Sequence, residues 1–138
     1  MSHIRYPIVK WKCISCGNCC RNHLGKERMI LLTDSDVERL LEGGQGNFFV
    51  KSARALSPYK YEMLKNKGAC VFLLNNRCRV YNRRPLICRF YPFAVKENNG
   101  YLFDVDLMCS GIGIGKTVNK KYFNKLIQDA KNAMKIEQ

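Results

Sequence analysis

The most constraining feature of the chain is a cysteine run near its amino terminus, Cys13-Ile-Ser-Cys16-Gly-Asn-Cys19-Cys20, which places four thiols within eight residues. The two residues between successive cysteines let the backbone turn back on itself, so thiolates spaced in this way can converge on one metal centre. Gly17 and Asn18 are small turn residues that relieve crowding there. The run therefore has the spacing of a set of metal ligands.

Four more cysteines follow at long intervals, each at a predicted strand end or turn, and all eight are candidate metal ligands. The later four are Cys70, Cys78, Cys88 and Cys109. Side chains of neighbouring residues diverge, so we expect Cys19 and Cys20 to face two different centres, or one of them to be a buried apolar residue. The eight thiols can divide into two sites of four, or into one site with the others structural, regulatory or bound to a second metal. The sequence does not choose between these divisions.

The spacing also bears on the type of metal. Structural zinc sites usually contain two Cys-x-x-Cys pairs or a cysteine–histidine set, and the second pair is missing from this sequence. Three cysteines at two-residue intervals plus a remote one resemble the ligand pattern of 4Fe-4S ferredoxins, although the proline that follows the last ligand there is absent. We expect a 4Fe-4S iron-sulfur cluster ahead of Zn2+, with Trp11 packed beside the centre and His23 as a minor candidate ligand.

Length and the amino-terminal pattern bound the class of protein. A chain of 138 residues is expected to form a single metal-binding domain, residues 1–138, with a core of its own. The sequence shows no leader pattern and no apolar stretch of about 18 residues. We therefore expect a soluble cytoplasmic protein without a membrane span, in which reduced, clustered cysteines favour metal over disulfides.

Basic residues are in large excess, with a net charge of +13. This charge predicts an acidic partner, either a protein or a nucleic acid, although nearby arginines would also offset the negative charge of a thiolate metal centre. Five arginines surround two of the cysteines: Arg77, Arg79, Arg83, Arg84 and Arg89. We expect about half of them to face water from strand positions. Arg84 and Arg89 are the candidate cofactor-binding residues, able to hydrogen-bond cluster sulfurs or to hold a carboxylate or phosphate.

Local patterns predict a small α+β domain of short antiparallel strands and hairpins, with a few helices, organised around a cysteine-ligated metal centre. Strands are predicted before Cys13 and at 29–32, and hairpins at 70–81 and 91–107. A helix is predicted from Thr33 or Ser35 to Gly43, with a capping box formed by Ser35 and Glu38. A carboxy-terminal helix is predicted from apolar residues at helical spacing: Phe123, Leu126, Ile127, Ala130 and Met134. The first hairpin would place Cys70 and Cys78 on neighbouring strands. Residues 47–67 carry too weak a pattern to assign.

The glycine-rich segment from Ser110 to Thr117 departs from a phosphate-binding loop, because Ser110 stands where that motif needs its first glycine. We prefer a flexible turn that lets Cys109 approach the metal. Its amide groups remain an alternative anion site.

Taken together, these residues resemble the YkgJ-like cysteine-cluster family, a zinc- or iron-chelating domain named for its CxxCxxCC signature. The match runs through the cysteine run, Leu32–Asp36, Cys78–Pro92 and Cys109–Gly113. The resemblance implies metal binding by the eight cysteines without a settled activity. A related group of flagellin lysine methylases is thought to hold iron-sulfur in a similar cluster, which implies by analogy an accessory role in methyl transfer or redox chemistry. The chain has no recognisable methyl-donor domain, so its being an enzyme stays open. A zinc-stabilised, basic nucleic-acid-binding module is the alternative function.

Overall fold

A computed structural model describes residues 3–14, 17, 20–22 and 27–137 as an α+β fold of short strands and three α-helices, with a 3-10 helix at Tyr81–Arg83. The strands are β1 (Ile4–Arg5), β2 (Lys10–Trp11), β3 (Leu31–Leu32), β4 (Phe49–Lys51), β5 (Tyr61–Met63), β6 (Lys65–Asn66), β7 (Ala69–Cys70), β8 (Leu73–Leu74), β9 (Arg77–Cys78), β10 (Phe93–Glu97), β11 (Tyr101–Val105) and β12 (Ile112–Thr117). The helices are α1 (Asp34–Glu42), α2 (Leu86–Phe90) and α3 (Lys120–Glu137). None of the described helices is both long enough and apolar enough to cross a membrane.

Helix α1 begins after Thr33, as predicted, and ends at Gly43. Its capping box consists of Thr33 and Asp36: the Asp36 N–H donates to Thr33 Oγ1 at 3.1 Å, and the Thr33 N–H donates to Asp36 Oδ2 at 3.0 Å. The predicted pair, Ser35 and Glu38, is therefore wrong by two residues. Thr33 continues the extended backbone of β3, so it is the last non-helical residue and takes the capping position.

The predicted second hairpin is confirmed. Strands β10 and β11 pair antiparallel from Phe93↔Val105 to Glu97↔Tyr101. Strand β1 adds to β11 in parallel, which the expectation of antiparallel pairing did not include. In the stretch that the sequence left unassigned, β4 and β5 form an antiparallel sheet with β3, in the order β3-β5-β4.

The first predicted hairpin is divided into two, and the expectation that Cys70 and Cys78 lie on neighbouring strands is wrong. Cys70 on β7 pairs with Lys65 on β6, whereas Cys78 on β9 pairs with Leu73 on β8. Asn75 and Asn76 form the turn between β8 and β9, with φ of 51° and 62°. A two-residue turn in the left-handed region fixes the register of the strands that flank it.

The glycine-rich segment is also different from its prediction. It forms strand β12, which pairs with β2 through an irregular register, rather than a flexible turn. Gly113 and Gly115 have φ of 89° and 84°, which a residue with a side chain adopts only with strain. The glycines therefore permit the irregular strand.

Two apolar cores meet at the short helix α2, which the sequence did not predict. The first contains Cys20, Ile30, Leu32, Val37, Leu40, Phe48, Met63, Cys70, Phe72, Val80 and Cys88. The second contains Leu86, Phe90, Phe93, Phe103, Val118, Phe123, Leu126, Ile127 and Ala133. Helix α2 supplies residues to both cores. The predicted apolar face of α3 is confirmed at Phe123, Leu126 and Ile127, with Ala130 partly buried; the side chain of Met134 is outside the description.

Asp36 joins the three helices. Its carboxylate, which is 1% exposed, accepts the Leu86 N–H at the start of α2 at 3.0 Å. Arg89 lies 3.8 Å from Asp36 and 3.2 Å from Asp129 on α3. Burial raises the pKa of Asp36, while the backbone donors at Thr33 and Leu86 and the charge of Arg89 oppose that rise.

We expect Asp36→Ala to lower the free energy of unfolding by about 3 kcal/mol, because the buried N–H groups of Thr33 and Leu86 would lose their acceptor. Asp34→Ala, on the same helix, removes a more exposed carboxylate paired with Lys60 and should cost less than about 1 kcal/mol. Urea unfolding followed by circular dichroism measures both. Equal losses in the two variants would contradict the role given to Asp36.

Candidate metal centre

A cavity of about 300 Å³ is lined by cysteines from four separate segments of the chain. They are Cys13, Cys78, Cys88 and Cys109. Cys13 follows β2, Cys78 ends β9, Cys88 lies on α2, and Cys109 precedes β12. The fold thus brings four of the predicted ligands to one cavity.

Cys13 and Cys109 lie on two segments that a backbone hydrogen bond joins. The Lys12 N–H donates to the Gly111 carbonyl at 3.2 Å, and the Cys109 N–H donates to the Asp106 carbonyl at 3.2 Å in the turn that precedes β12. A Cβ atom at position 111 would overlap the carbonyl oxygen of Lys12. Glycine at this position therefore allows the two cysteine-bearing segments to pass close to each other.

Cys78 and Cys88 reach the cavity from two other elements, β9 and α2. Helix α2 begins after the fully buried Pro85, and the Cys88 N–H donates to the Pro85 carbonyl at 3.0 Å. Cys88 and Cys109 are each 8% exposed, Cys78 is half-buried and Cys13 is exposed. The thiol set thus extends from the protein interior to the surface.

Arg21 connects the cysteine run to the β8–β9 turn. Its guanidinium donates to the Asn76 side-chain oxygen and packs over Gly17, which lines the cavity. A Cβ at Gly17 would lie 2.7 Å from Arg21 Nη2, and the φ of Gly17 is 80°. Both the contact with Arg21 and the positive φ therefore favour glycine at position 17. Cys16, Cys19 and His23 lie outside the described residues.

Cys20 and Cys70 form a second group. Arg21 and Ala69 make an antiparallel bridge, supported by a 2.8 Å hydrogen bond from the Asn22 N–H to the Gly68 carbonyl. The same register places Cys20 opposite Cys70. Each is 5% exposed in the first core, and neither lines the cavity. Cys88 belongs to that core as well, so the two groups of cysteines adjoin.

The donor chemistry of the cavity fits a thiophilic metal. Thiolate ligands select zinc and iron-sulfur clusters over hard cations. No disulfide joins any two of the six described cysteines. Within the described part of the chain, no three Cys, His, Asp or Glu side chains approach closely enough to hold one ion. The cavity cysteines therefore surround a shared space without converging on a single point.

Aromatic and basic side chains complete the cavity wall. Trp11, Tyr81, Tyr91, Arg77 and Arg84 line it together with the cysteines. The Arg84 guanidinium stacks on the Tyr81 ring at 4.0 Å, and its Nε donates to the Tyr81 carbonyl at 3.0 Å. The indole N–H of Trp11 is buried without a partner among the described residues. Trp11 thus lies beside the thiols, where the sequence expected it beside the metal.

The other predicted cofactor-binding arginine lies elsewhere. Arg89 is bound by Asp36 and Asp129 between the helices and does not line the cavity. The Tyr122 ring lies 6.0 Å from the Trp11 ring. Burial raises the pKa of the Tyr122 phenol, and the positive charge of Arg84 partly opposes this rise. The phenol of Tyr122 is accordingly neutral at physiological pH.

Sequence reasoning did not single out several residues that shape the site. Tyr81, Tyr91 and Gly111 lie in the family-like segments Cys78–Pro92 and Cys109–Gly113, which could have marked them, whereas Arg21 acts through its contact with Asn76 and no motif marks it.

Comparison with known proteins gives relatives without an assigned activity. The chain is 31% identical to the uncharacterized protein MJ0939 of Methanocaldococcus jannaschii over 137 residues, covering 91% of the chain and 45% of that protein. It is 29% identical to the uncharacterized protein MJ0661 of the same organism over 126 residues, covering 83% of the chain and 65% of that protein. The chain therefore spans less than two thirds of the length of either relative. No solved structure matches it.

The sequence family that matches the chain is defined by the cysteine run itself. Residues 12–110 match the family CxxCxxCC, whose description reads "Putative zinc- or iron-chelating domain". The matched region begins one residue before Cys13 and ends one residue after Cys109, so it contains all eight cysteines. The chain belongs to the CxxCxxCC family of zinc- or iron-chelating domains.

Proposed function

We propose that the chain holds a metal centre in the cavity, an iron-sulfur cluster ahead of zinc, with its ligands drawn from Cys13, Cys78, Cys88 and Cys109 at the cavity and from Cys16 and Cys19 of the amino-terminal run. The observation that carries the proposal is that four thiols from distant segments line one cavity. Reduced thiols in a cytoplasmic setting are available to bind metal, whereas disulfide formation would consume them. The family description of a zinc- or iron-chelating domain supports the same chemistry.

The preference for iron-sulfur rests on ligand spacing, because the ferredoxin-like run of cysteines is present and a second Cys-x-x-Cys pair is missing. When bound, an iron-sulfur cluster supplies electron transfer, whereas zinc in an all-thiolate site supplies a structural cross-link. The buried Cys88 and Cys109 would shield the centre from water on one side. Arg77 and Arg84 add positive charge beside thiolates that carry negative charge.

The remaining cysteines are proposed to have separate roles. Cys16 and Cys19 belong to the same run as Cys13 and are the candidates to complete the ligand set. Cys20 and Cys70 are buried in the first core, and the Arg21–Ala69 bridge places them opposite each other in backbone register. We assign them to a second group that does not hold the cavity centre.

Anaerobic purification followed by iron, zinc and acid-labile sulfide analysis tests the identity of the centre. We expect a coloured protein in which iron and sulfide are present in matching amounts, because four thiolates and ferredoxin-like spacing suit a cluster. A colourless protein with stoichiometric zinc and no labile sulfide would replace iron-sulfur by zinc. A protein that contains neither metal would contradict the proposal as a whole.

Substitution of single cysteines tests which thiols hold the centre. We expect Cys109→Ser to lose most of the bound metal, because it removes a soft thiolate from the cavity. Cys70→Ala is the matched control, since Cys70 is equally buried but lies outside the cavity, and it should retain the metal. Metal content per protein is measured after the same anaerobic preparation. Equal loss in both variants would refute the division into two groups.

A further inference from the structure

The cavity is larger than a metal ion requires. A water molecule occupies about 30 Å³ in the liquid, and small-molecule pockets begin at about 300 Å³. The cavity volume of about 300 Å³ is thus in the range of a site for a small organic ligand. A cavity that is free of metal, or that holds a single ion, therefore has space for a small molecule beside the thiols.

The walls of this space are mostly apolar, with basic groups among them. Ile14, Trp11, Tyr81 and Tyr91 supply aliphatic and aromatic surface, whereas Arg77 and Arg84 supply positive charge. Apolar walls with a few convergent polar groups are typical of sites for small organic molecules.

Arg84 is held in position to bind an anion. Its guanidinium stacks on the Tyr81 ring, and its Nε–H donates a hydrogen bond to the Tyr81 carbonyl. No hydrogen bond within the described residues uses its two terminal nitrogens, which form the planar fork that matches a carboxylate. A side chain fixed in this way loses little conformational entropy on binding.

Arg77 and Arg84 differ from Arg54 and Arg89 in having no carboxylate partner among the described side chains, a property that they share with Arg79 and Arg83, which lie outside the cavity. Arg54 pairs with Glu27 and Glu62, and Arg89 pairs with Asp36 and Asp129. In the described parts of the chain, no carboxylate forms an ion pair with Arg77 or Arg84. An external anion can therefore supply the missing partner.

We propose that the cavity binds a small organic acid, with its carboxylate on Arg84 and its apolar body against the aromatic wall. Arg77, which is exposed, adds positive charge at the entrance. Apolar walls favour an organic carboxylate over inorganic phosphate, because phosphate offers no surface to bury against them. The inference rests on the proposed function in that the acid would lie beside the metal centre, but Arg84 and the aromatic wall need no metal to bind it.

Trp11 provides the measurement. It is the single tryptophan of the chain and it lines the cavity, so its fluorescence reports occupancy. We would titrate the protein as purified anaerobically, and the metal-free protein, with phenylacetate, with its uncharged analogue phenylacetamide, and with inorganic phosphate. We expect phenylacetate to bind at least about tenfold more tightly than phenylacetamide, because a charge-assisted hydrogen bond contributes about that factor. Equal affinities, or tighter binding of phosphate, would overturn the inference.

Arg84→Gln should abolish the difference between phenylacetate and phenylacetamide while phenylacetamide binding persists, since the aromatic wall remains. Arg83→Gln is the matched control: it is adjacent, loses the same charge, does not line the cavity and should keep the full difference. Metal content is measured on every preparation. If Arg84→Gln lowers metal content instead of selectivity, Arg84 serves the metal centre and the inference is wrong. If wild-type protein binds no metal, the proposed function fails, and the titration of metal-free protein still decides the acid site.

Discussion

The buried carboxylate of Asp36 is the interaction on which the position of α2 depends. A helix of five residues cannot be stable by itself, because so short a segment does not recover the cost of its first turn. Asp36 binds the first N–H of α2, and Arg89 connects the same helix to Asp129 on α3. Since α2 carries Cys88 and supplies both cores, the carboxylate also fixes one wall of the cavity.

The cavity is assembled from segments that are far apart in the sequence, and local turns position two of them. The Asn75–Asn76 turn sets the register that places Cys78, and the turn before β12 places Cys109. A metal that joins these segments would add stability, because it binds the folded arrangement and not the unfolded chain. Bringing together distant parts of the chain costs entropy, and the two cores and the hydrogen bonds of Asp36 help to offset that cost.

Much of the fold could be predicted where the signal was local. The limits of α1, the β10–β11 hairpin and the apolar face of α3 follow from caps, alternation and helical spacing. The capping box was misplaced because Thr33–Asp36 and Ser35–Glu38 both satisfy its pattern, and only the strand before Thr33 decides between them. Strand β3 falls within the strand predicted at 29–32, whereas β4 and β5, at three residues each, are too short to show periodicity.

The types of residue at the site could be predicted from the sequence, but their spatial arrangement could be predicted less well. Remote cysteines do line a common cavity, but Cys70 pairs with Lys65 and lies outside it, which only strand register determines.

The five arginines near Cys78 and Cys88 are likewise divided between the cavity and other parts of the fold. Arg89 is in ion pairs, Arg83 binds the Arg39 carbonyl, and Arg79 lies over the Phe72 ring. The net charge counts all five guanidiniums equally, but only Arg77 and Arg84 of the five line the cavity. The part of the +13 charge that bears on a ligand is therefore small and local, and a broad acidic partner does not follow from the total.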